Sequence, residues 1–271
     1  MRTVLGAELW TSAASPYILR GAIAAAFDVL EGALLSIEPG VRVLVSQGGR
    51  IHVSGGLLAA GQPDASIELG SLLDFADCQR WGGVVVMPSS HGVLLRHVWL
   101  VGATTALTVT GADNSGPVVI ENCAFDDWQV AAVFYEGTDS LVLRQSSFGL
   151  GHRSVQPAAA ASPLAIVAGG GSRVGVGVVI ERCVFNAFRG GNTEGTRQPD
   201  MDAVIVGQGQ AVVRSNTFIR DAIACDDGSS GLRINEVVVR FALCSRRPVW
   251  PYLRGLAYLT AWWMSRRGRQ G

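Results

Sequence analysis

Short segments with the same order of apolar and polar residues recur along the middle of the chain. Each begins with an aliphatic residue, carries a polar pair in most copies, and ends with a large apolar residue five places later. The six copies are Leu95–Leu100, Ile120–Phe125, Leu143–Phe148, Ile180–Phe185, Val213–Phe218 and Ile234–Val239. Their starts lie 25, 23, 37, 33 and 21 residues apart. This period in the low twenties, with loops inserted in two copies, indicates a solenoid whose repeats pack only on their neighbours.

A second column of residues supports the same alignment. Alanine recurs upstream of the repeated segments, at Ala106, Ala132, Ala165, Ala203 and Ala222. A small residue kept in one column beside β-branched neighbours is typical of strands stacked about 4.8 Å apart. The aromatic residues that end four of the segments are then expected to form a ladder in the core: Phe125, Phe148, Phe185 and Phe218.

The N-terminal part of the chain carries short strands separated by Gly, Pro and Asp turns. The predicted strand regions are Leu35–Val43, Gly49–Gly56, Ser66–Leu69 and Trp81–Val86. The sequence therefore predicts an all-β chain, with a right-handed parallel β-helix over residues 1–240 and a short non-repeat tail, helical in one interpretation, over residues 241–271.

Several of these stretches resemble a known group of proteins. The Trp10-Thr-Ser motif, LSIEPGV from Leu35, GRIHVSGGLLAAG from Gly49 and WGG at Trp81 resemble the opening rungs of parallel β-helix repeat proteins of the pectin-lyase-like superfamily. The DDGSS stretch at residues 226–230 is similar to a turn seen in that group. The resemblance covers about residues 10–240. Because the group includes lyases, hydrolases, epimerases and adhesins, it implies the fold rather than one activity.

Location and disulfide chemistry are less constrained. The resemblance implies an extracellular or cell-surface protein, whereas the first residues of the chain lack the continuous apolar stretch of a secretory signal. The five cysteines are widely scattered and show no zinc-ligand spacing, so we interpret them as mainly structural.

Charge excludes one class of partner. The chain has 22 basic and 22 acidic residues and a formal net charge of +0, so no overall field attracts nucleic acid to the body of the molecule. We therefore expect no nucleic-acid partner.

The C-terminal tail, residues 241–271, has no repeat pattern and no acidic residue, and its apolar run is flanked by arginines. Three interpretations remain open: a cap on the solenoid end, an interfacial helix that contacts a membrane, or an artefact of the gene model. A membrane-spanning helix is disfavoured because the run contains Arg254 and is shorter than the roughly 20 apolar residues that a span needs.

One group of carboxylates is a candidate catalytic or metal site. The alignment places Asp202 and Asp221 in one column, about 5 Å apart, with Asp200 two residues away and the Asp226-Asp227 turn within one strand. Like charges at that distance raise a pKa or recruit a cation. The resemblance implies that such grouped acids either coordinate calcium for polysaccharide β-elimination or serve as acid and base in glycoside hydrolysis. The alternative is ordinary turn chemistry, in which each Asp accepts a hydrogen bond from a nearby backbone N–H.

A lyase would also need a base. The resemblance implies Arg or Lys in that role, and Arg220 and Arg214 lie in the corresponding repeats.

A second candidate is a sugar-binding platform at Asp126-Asp127-Trp128. An exposed Trp128 beside the carboxylate of Asp127 would stack on a sugar and accept hydrogen bonds from its hydroxyls. The alternative is a turn with a packed Trp.

Two functions are compatible with these observations. The first is a non-catalytic β-helix module that binds a polysaccharide or cell-surface glycan along a flat face. The second is a polysaccharide lyase or glycoside hydrolase that uses the clustered Asp residues. Whether the protein is an enzyme is left open, with the binding module preferred.

Overall fold

The computed structural model describes residues 2–20, 26–72, 80–110, 116–136, 140–149, 164–168, 177–186, 202–206, 211–219, 222–225, 233–235 and 238–240. In these residues the chain forms 27 strands, arranged in three nine-stranded parallel sheets. The described regular structure is otherwise one short 3-10 helix, Ser12–Ala14.

Each sheet takes every third strand. Sheet 1 contains β1 (Arg2–Val4), β4 (Ala26–Val29), β7 (Arg50–Val53), β10 (Gly83–Val86), β13 (Thr105–Val109), β16 (Ala131–Tyr135), β19 (Leu164–Ala168), β22 (Asp202–Val206) and β25 (Ala222–Cys225). Sheet 2 contains β2 (Ala7–Trp10), β5 (Leu34–Ile37), β8 (Gly56–Ala60), β11 (Gly92–Arg96), β14 (Val118–Glu121), β17 (Leu141–Arg144), β20 (Val178–Glu181), β23 (Ala211–Arg214) and β26 (Arg233–Asn235). Sheet 3 contains β3 (Tyr17–Leu19), β6 (Arg42–Val45), β9 (Ile67–Ser71), β12 (Val98–Val101), β15 (Ala124–Asp126), β18 (Ser147–Phe148), β21 (Val184–Asn186), β24 (Thr217–Ile219) and β27 (Val238–Arg240).

Three successive strands, one from each sheet, make one rung, and nine rungs are stacked in sequence order. The predicted all-β parallel β-helix is therefore confirmed. In strands such as β5, β6 and β7, buried and more exposed residues alternate, as a pleated sheet requires. The buried side chains of the described residues form one continuous apolar core.

The aromatic ladder in this core is also confirmed for Phe125, Phe148 and Phe185. The rings of Phe125 and Phe148 stack with centroids 4.9 Å apart, and those of Phe148 and Phe185 with centroids 4.8 Å apart. Phe185 is paired with Phe218 in the backbone register of the next rung. The register also places Ala106, Ala132 and Ala165 in one column, as the sequence predicted. Ala222, which the sequence placed in the same column, is instead paired with Asp202.

The turn from sheet 2 into sheet 3 is short and recurs in rungs 4 to 8. The link has one residue in rung 4 and two residues in rungs 5 to 8. The residue that directly follows the sheet 2 strand has a positive φ of 48° to 56° in each rung: His97, Asn122, Gln145, Arg182 and Ser215. These residues are the second members of the polar pairs in the repeated segments. The polar pair thus marks the place where each rung bends out of sheet 2.

Behind this bend lies a column of buried polar side chains that hold adjacent rungs together. Ser146 Oγ accepts a hydrogen bond from the backbone N–H of Cys123 at 3.1 Å and donates to the carbonyl of Arg144. Asn216 Oδ1 accepts from the N–H of Cys183 at 2.8 Å, and its Nδ2 donates to the carbonyl of Ile180. Burial raises the pKa of the Cys123 and Cys183 thiols to about 12, so both are protonated and unreactive in the folded protein.

The predicted tail at residues 241–271 lies outside the described residues, and so do its three interpretations. No helix within the described part of the chain has the length and apolar character needed to cross a membrane.

Candidate functional site

Trp99 carries the most exposed aromatic surface that the structure places on a strand. It lies in β12, between the inward-facing Val98 and Leu100, and its side chain therefore points out of sheet 3. It is 40% exposed, whereas both neighbours are buried. The indole is held in place because its Nε1–H donates a hydrogen bond to Asp126 Oδ2 at 2.8 Å. Asp126 lies in the next rung, on β15.

The side chains around Trp99 leave its ring accessible. The next two residues in its outward column are Ala124 and Ser147, both small. On the other side its partner is Glu68, which is paired with Arg42 one rung further back. We call this surface of sheet 3 the Trp99 face, made of Arg42, Glu68, Trp99, Ala124, Asp126 and Ser147.

The Trp99 face is polar, and its residues Arg42 and Glu68 form an ion pair. Arg42 donates to both carboxylate oxygens of Glu68, at 2.7 and 3.1 Å. This contact raises the pKa of the Arg42 guanidinium, which stays fully charged. The face therefore offers one flat aromatic ring with hydrogen-bonding groups on both sides, the combination that sugar rings require.

A row of alternating charges runs beside it. The last residues of five successive sheet 2 strands are paired in register and alternate in sign: Arg96, Glu121, Arg144, Glu181 and Arg214. We call this row the charge ladder. Arg96 lies 3.0 Å from Glu121, and Arg144 lies 3.2 Å from Glu181 and 3.8 Å from Glu121. Glu181 also forms an ion pair with Arg214.

The two signs of the charge ladder differ in exposure. The arginine side chains of the ladder are 42% to 52% exposed, whereas that of Glu121 is 21% exposed and that of Glu181 is 8% exposed. The hydrogen bond from Arg214, with the charges of Arg214 and Arg144, lowers the pKa of Glu181 below its ordinary value although burial opposes the shift. The charged groups exposed to solvent along this row are therefore mainly guanidinium groups.

The candidate sugar-binding platform at Trp128 is wrong. Trp128 is fully buried and meets the edge of Phe148, with ring centroids 6.4 Å apart, so the indole has no surface for a sugar. Asp127 binds a residue of the core rather than facing a ligand. Its Oδ1 lies 2.8 Å from Nη2 of the buried Arg80, and its carbonyl accepts a hydrogen bond from the same guanidinium. The alternative interpretation, a turn with a packed Trp, describes this site.

The described residues do not test the candidate carboxylate cluster, which stays a prediction. Asp200, Asp221, Asp226, Asp227 and Arg220 lie outside the described residues, as does the side chain of Asp202. In the described backbone Asp202 is paired with Ala222, and the register shifts between Asp202 and Val204. Because Asp221 lies outside the described residues, its proximity to Asp202 stays a prediction. Arg214, the other candidate base, is bound to Glu181 in the charge ladder.

One further titratable pair lies on the outer surface of sheet 1. His52 Nδ1 is 3.3 Å from Asp28 Oδ1, one rung away. Within the described residues, no three His, Cys, Asp or Glu side chains come together in a group that would hold a metal ion.

Two signals in the sequence pointed to the Trp99 face and the charge ladder. In the segment Leu95–Leu100 the last residue is inward, so strand alternation places Trp99 outward. The first members of the polar pairs also alternate in sign along the repeats. Sequence reasoning used the pairs only to set the register, and overlooked both signals.

Comparison of the chain with protein-family models, with curated proteins and with solved structures finds no match in any of the three. The arrangement of the residues is accordingly the basis for assigning a function.

Proposed function

We propose that this parallel β-helix is a carbohydrate-binding module of the pectin-lyase-like type, and that it binds a polysaccharide across the Trp99 face. The observation that carries the proposal is the exposed indole of Trp99, fixed by its hydrogen bond to Asp126. A ring that is already immobilised loses little conformational entropy when a sugar stacks on it.

The surroundings of the ring support the same function. Ala124 and Ser147 lie next to Trp99 in its column and leave room along the axis of the solenoid. The carboxylates of Asp126 and Glu68 accept hydrogen bonds, and Ser147 both donates and accepts. Because successive rungs are about 4.8 Å apart, a chain molecule lying along this axis meets a straight row of such groups.

Substitution of the Trp99 side chain tests this function. Trp99→Ala should weaken polysaccharide binding roughly tenfold, equivalent to ~1.4 kcal/mol, whereas Trp99→Phe should retain most of it because a smaller ring still stacks. Leu9→Ala is the matched control, since Leu9 is 55% exposed on a different sheet in rung 1. Binding is measured by affinity electrophoresis and calorimetry with polygalacturonate, alginate and a neutral β-glucan.

The role of Asp126 is separable from that of the ring. Asp126→Ala removes the acceptor for the indole N–H and should weaken binding, whereas Asp126→Asn keeps an acceptor oxygen and should restore it. If the wild-type protein binds none of the three polymers, or if Trp99→Ala binds as well as Leu9→Ala, the proposal is wrong.

A further inference from the structure

Three arginines gather around one buried carboxylate at the bend between sheets 2 and 3, in rungs 6 to 8. Arg144 and Arg214 end the sheet 2 strands on either side of Glu181, and both form ion pairs with it. Arg182 directly follows Glu181, and its backbone N–H donates to the carbonyl of Arg214 at 3.2 Å. We call these four residues the Arg182 cluster.

The Arg182 cluster carries more positive charge than the charge ladder requires. In the ladder every Glu lies between two Arg residues, so Glu181 is already paired with Arg144 and Arg214 without Arg182. Three guanidinium groups around one carboxylate leave a local net charge of +2. At the corresponding place in the other four bends the residues are His97, Asn122, Gln145 and Ser215. Arg182 thus adds a permanent charge that the repeat itself does not need.

The positive groups of the cluster are the ones that reach solvent. Glu181 is 8% exposed, whereas Arg144 is 42% and Arg214 is 52% exposed, and Arg182 is also exposed. Arg214 binds Glu181 through its Nε and Nη2 atoms, so its Nη1 hydrogens are not used in that contact. The charges of Arg214, Arg144 and Arg182 together lower the pKa of Glu181, as expected if all three act at one point.

We propose that the Arg182 cluster binds a doubly charged phosphate group, either a monoester on a glycan or free phosphate. Guanidinium N–H groups match the oxygens of a phosphate in geometry and in charge. A phosphate monoester carries about −1.5 to −2 charges at pH 7 and three acceptor oxygens, which fits a local charge of +2, whereas a phosphodiester carries one negative charge. Glu181 holds two of the guanidinium groups in place before the ligand arrives, which reduces the entropy lost on binding.

This site is independent of the proposed carbohydrate site. Arg182 lies three rungs from Trp99, about 14 Å along the axis of the solenoid. Trp99→Ala should therefore bind methyl phosphate as the wild type does. Loss of carbohydrate binding and loss of phosphate binding are thus distinguishable results.

Arg182→Gln tests the proposal with little disturbance of the fold, because Gln145 holds the same place one rung earlier with a φ of 49°. The variant should bind methyl phosphate roughly fivefold more weakly, the effect of one charge contact in water. Binding is measured by phosphorus NMR titration at a constant ionic strength of about 0.1 M, where the screening length is about 10 Å.

The matched control is Arg96→Gln. It removes the same charge from a 47% exposed arginine of the charge ladder, three rungs from Arg182 and beyond the screening length. This variant should bind methyl phosphate like the wild type. Dimethyl phosphate, with a single charge, should bind the wild type at least fivefold more weakly than methyl phosphate does.

A second variant keeps the test decisive if Arg182→Gln fails to fold by circular dichroism. Gln145→Arg places a further guanidinium in the neighbouring bend and should tighten methyl phosphate binding several-fold. A mannan that carries phosphate monoesters, compared with the same polymer after phosphatase treatment, identifies the source of the phosphate. Tighter binding of the phosphorylated mannan than of methyl phosphate supports a glycan ligand, and equal binding supports free phosphate.

Three results would overturn the proposal. The first is a wild-type protein that does not bind methyl phosphate, and the second is equal binding of methyl phosphate and dimethyl phosphate. The third is a folded Arg182→Gln variant that binds methyl phosphate as well as Arg96→Gln does, because the added charge of Arg182 would then have no part in binding.

Discussion

Phe148 packs against an aromatic ring on each side along the axis of the solenoid. Its ring stacks on Phe125 and on Phe185, and its edge meets Trp128 at an interplanar angle of 83°. The side chain is fully buried. Truncation of this side chain would therefore remove three ring contacts and leave a cavity in the core.

Phe148→Ala should therefore lower the free energy of unfolding by about 3–5 kcal/mol, the range for deletion of a buried aromatic side chain. Denaturant titration followed by circular dichroism measures the change. Val184→Ala, a truncation at an exposed residue of the same sheet, should change it by less than about 1 kcal/mol. Equal losses in the two variants would show that the ladder does not contribute as the stacking implies.

The placement of individual side chains was the hardest feature to predict from the sequence. The Phe ladder was correctly predicted because its column repeats four times. Trp128 was left between an exposed platform and a packed turn because Asp126-Asp127-Trp128 has the composition of a surface turn. In the fold, however, Asp127 has a φ of 55° and binds the buried Arg80, and Trp128 packs in the core. This conformation depends on a contact 47 residues away in sequence, which local pattern cannot reveal.

At the scale of the element, the bend between sheets 2 and 3 depends on one left-handed residue in each of five rungs. Asn122 has a φ of 53°, and its N–H donates to the carbonyl of Arg144 at 3.1 Å. Asn tolerates this conformation, whereas a β-branched residue does not.

Asn122→Val should lower the free energy of unfolding by about 1–2 kcal/mol, and Asn122→Gly should leave it within about 0.5 kcal/mol of the wild type. Thermal unfolding of both variants tests this difference. Ser147→Val, at an exposed residue with ordinary strand geometry, serves as the control for adding valine near the bend. A Val variant as stable as the Gly variant would contradict the role assigned to the left-handed residue.

The charge ladder links strands of sheet 2 in a way that depends on pH. The pKa of Glu181 is lower in the folded protein than its ordinary value, mainly because Arg214 binds it. A lowered folded pKa stabilises the protein above the ordinary pKa of glutamate, and this contribution is lost as the pH falls through the lowered value.

We expect Glu181→Gln to be less stable than the wild type at neutral pH, and the difference to shrink as the pH falls below the ordinary pKa of glutamate. Denaturant titrations from neutral to acidic pH measure this convergence. Arg214→Gln should show the same trend, and the double variant should lose less than the sum of the two single losses because the residues interact directly. A difference that stays constant with pH would rule out the ion pair as its cause.

For the whole molecule, the solenoid was predictable because similar segments recur along the sequence with a basic period in the low twenties of residues. A parallel β-helix places equivalent residues in one column, and the alignment of six segments thus gave the register of rungs 4 to 9. The alignment could not fix the shift at Asp202, where the chain gains one residue relative to its neighbour in register. Insertions of this kind follow from loop packing rather than from the repeat.

The alternation of Arg and Glu has a consequence for how the chain can change length. A solenoid tolerates the gain or loss of whole rungs because each packs only on its neighbours. Removing one rung between Arg96 and Arg214, however, would bring two like charges into adjacent positions, as when loss of Arg144 places Glu121 beside Glu181. Removing two adjacent rungs keeps the alternation. In this stretch, rungs should therefore be gained or lost in pairs, because an even number of rungs keeps opposite charges next to each other.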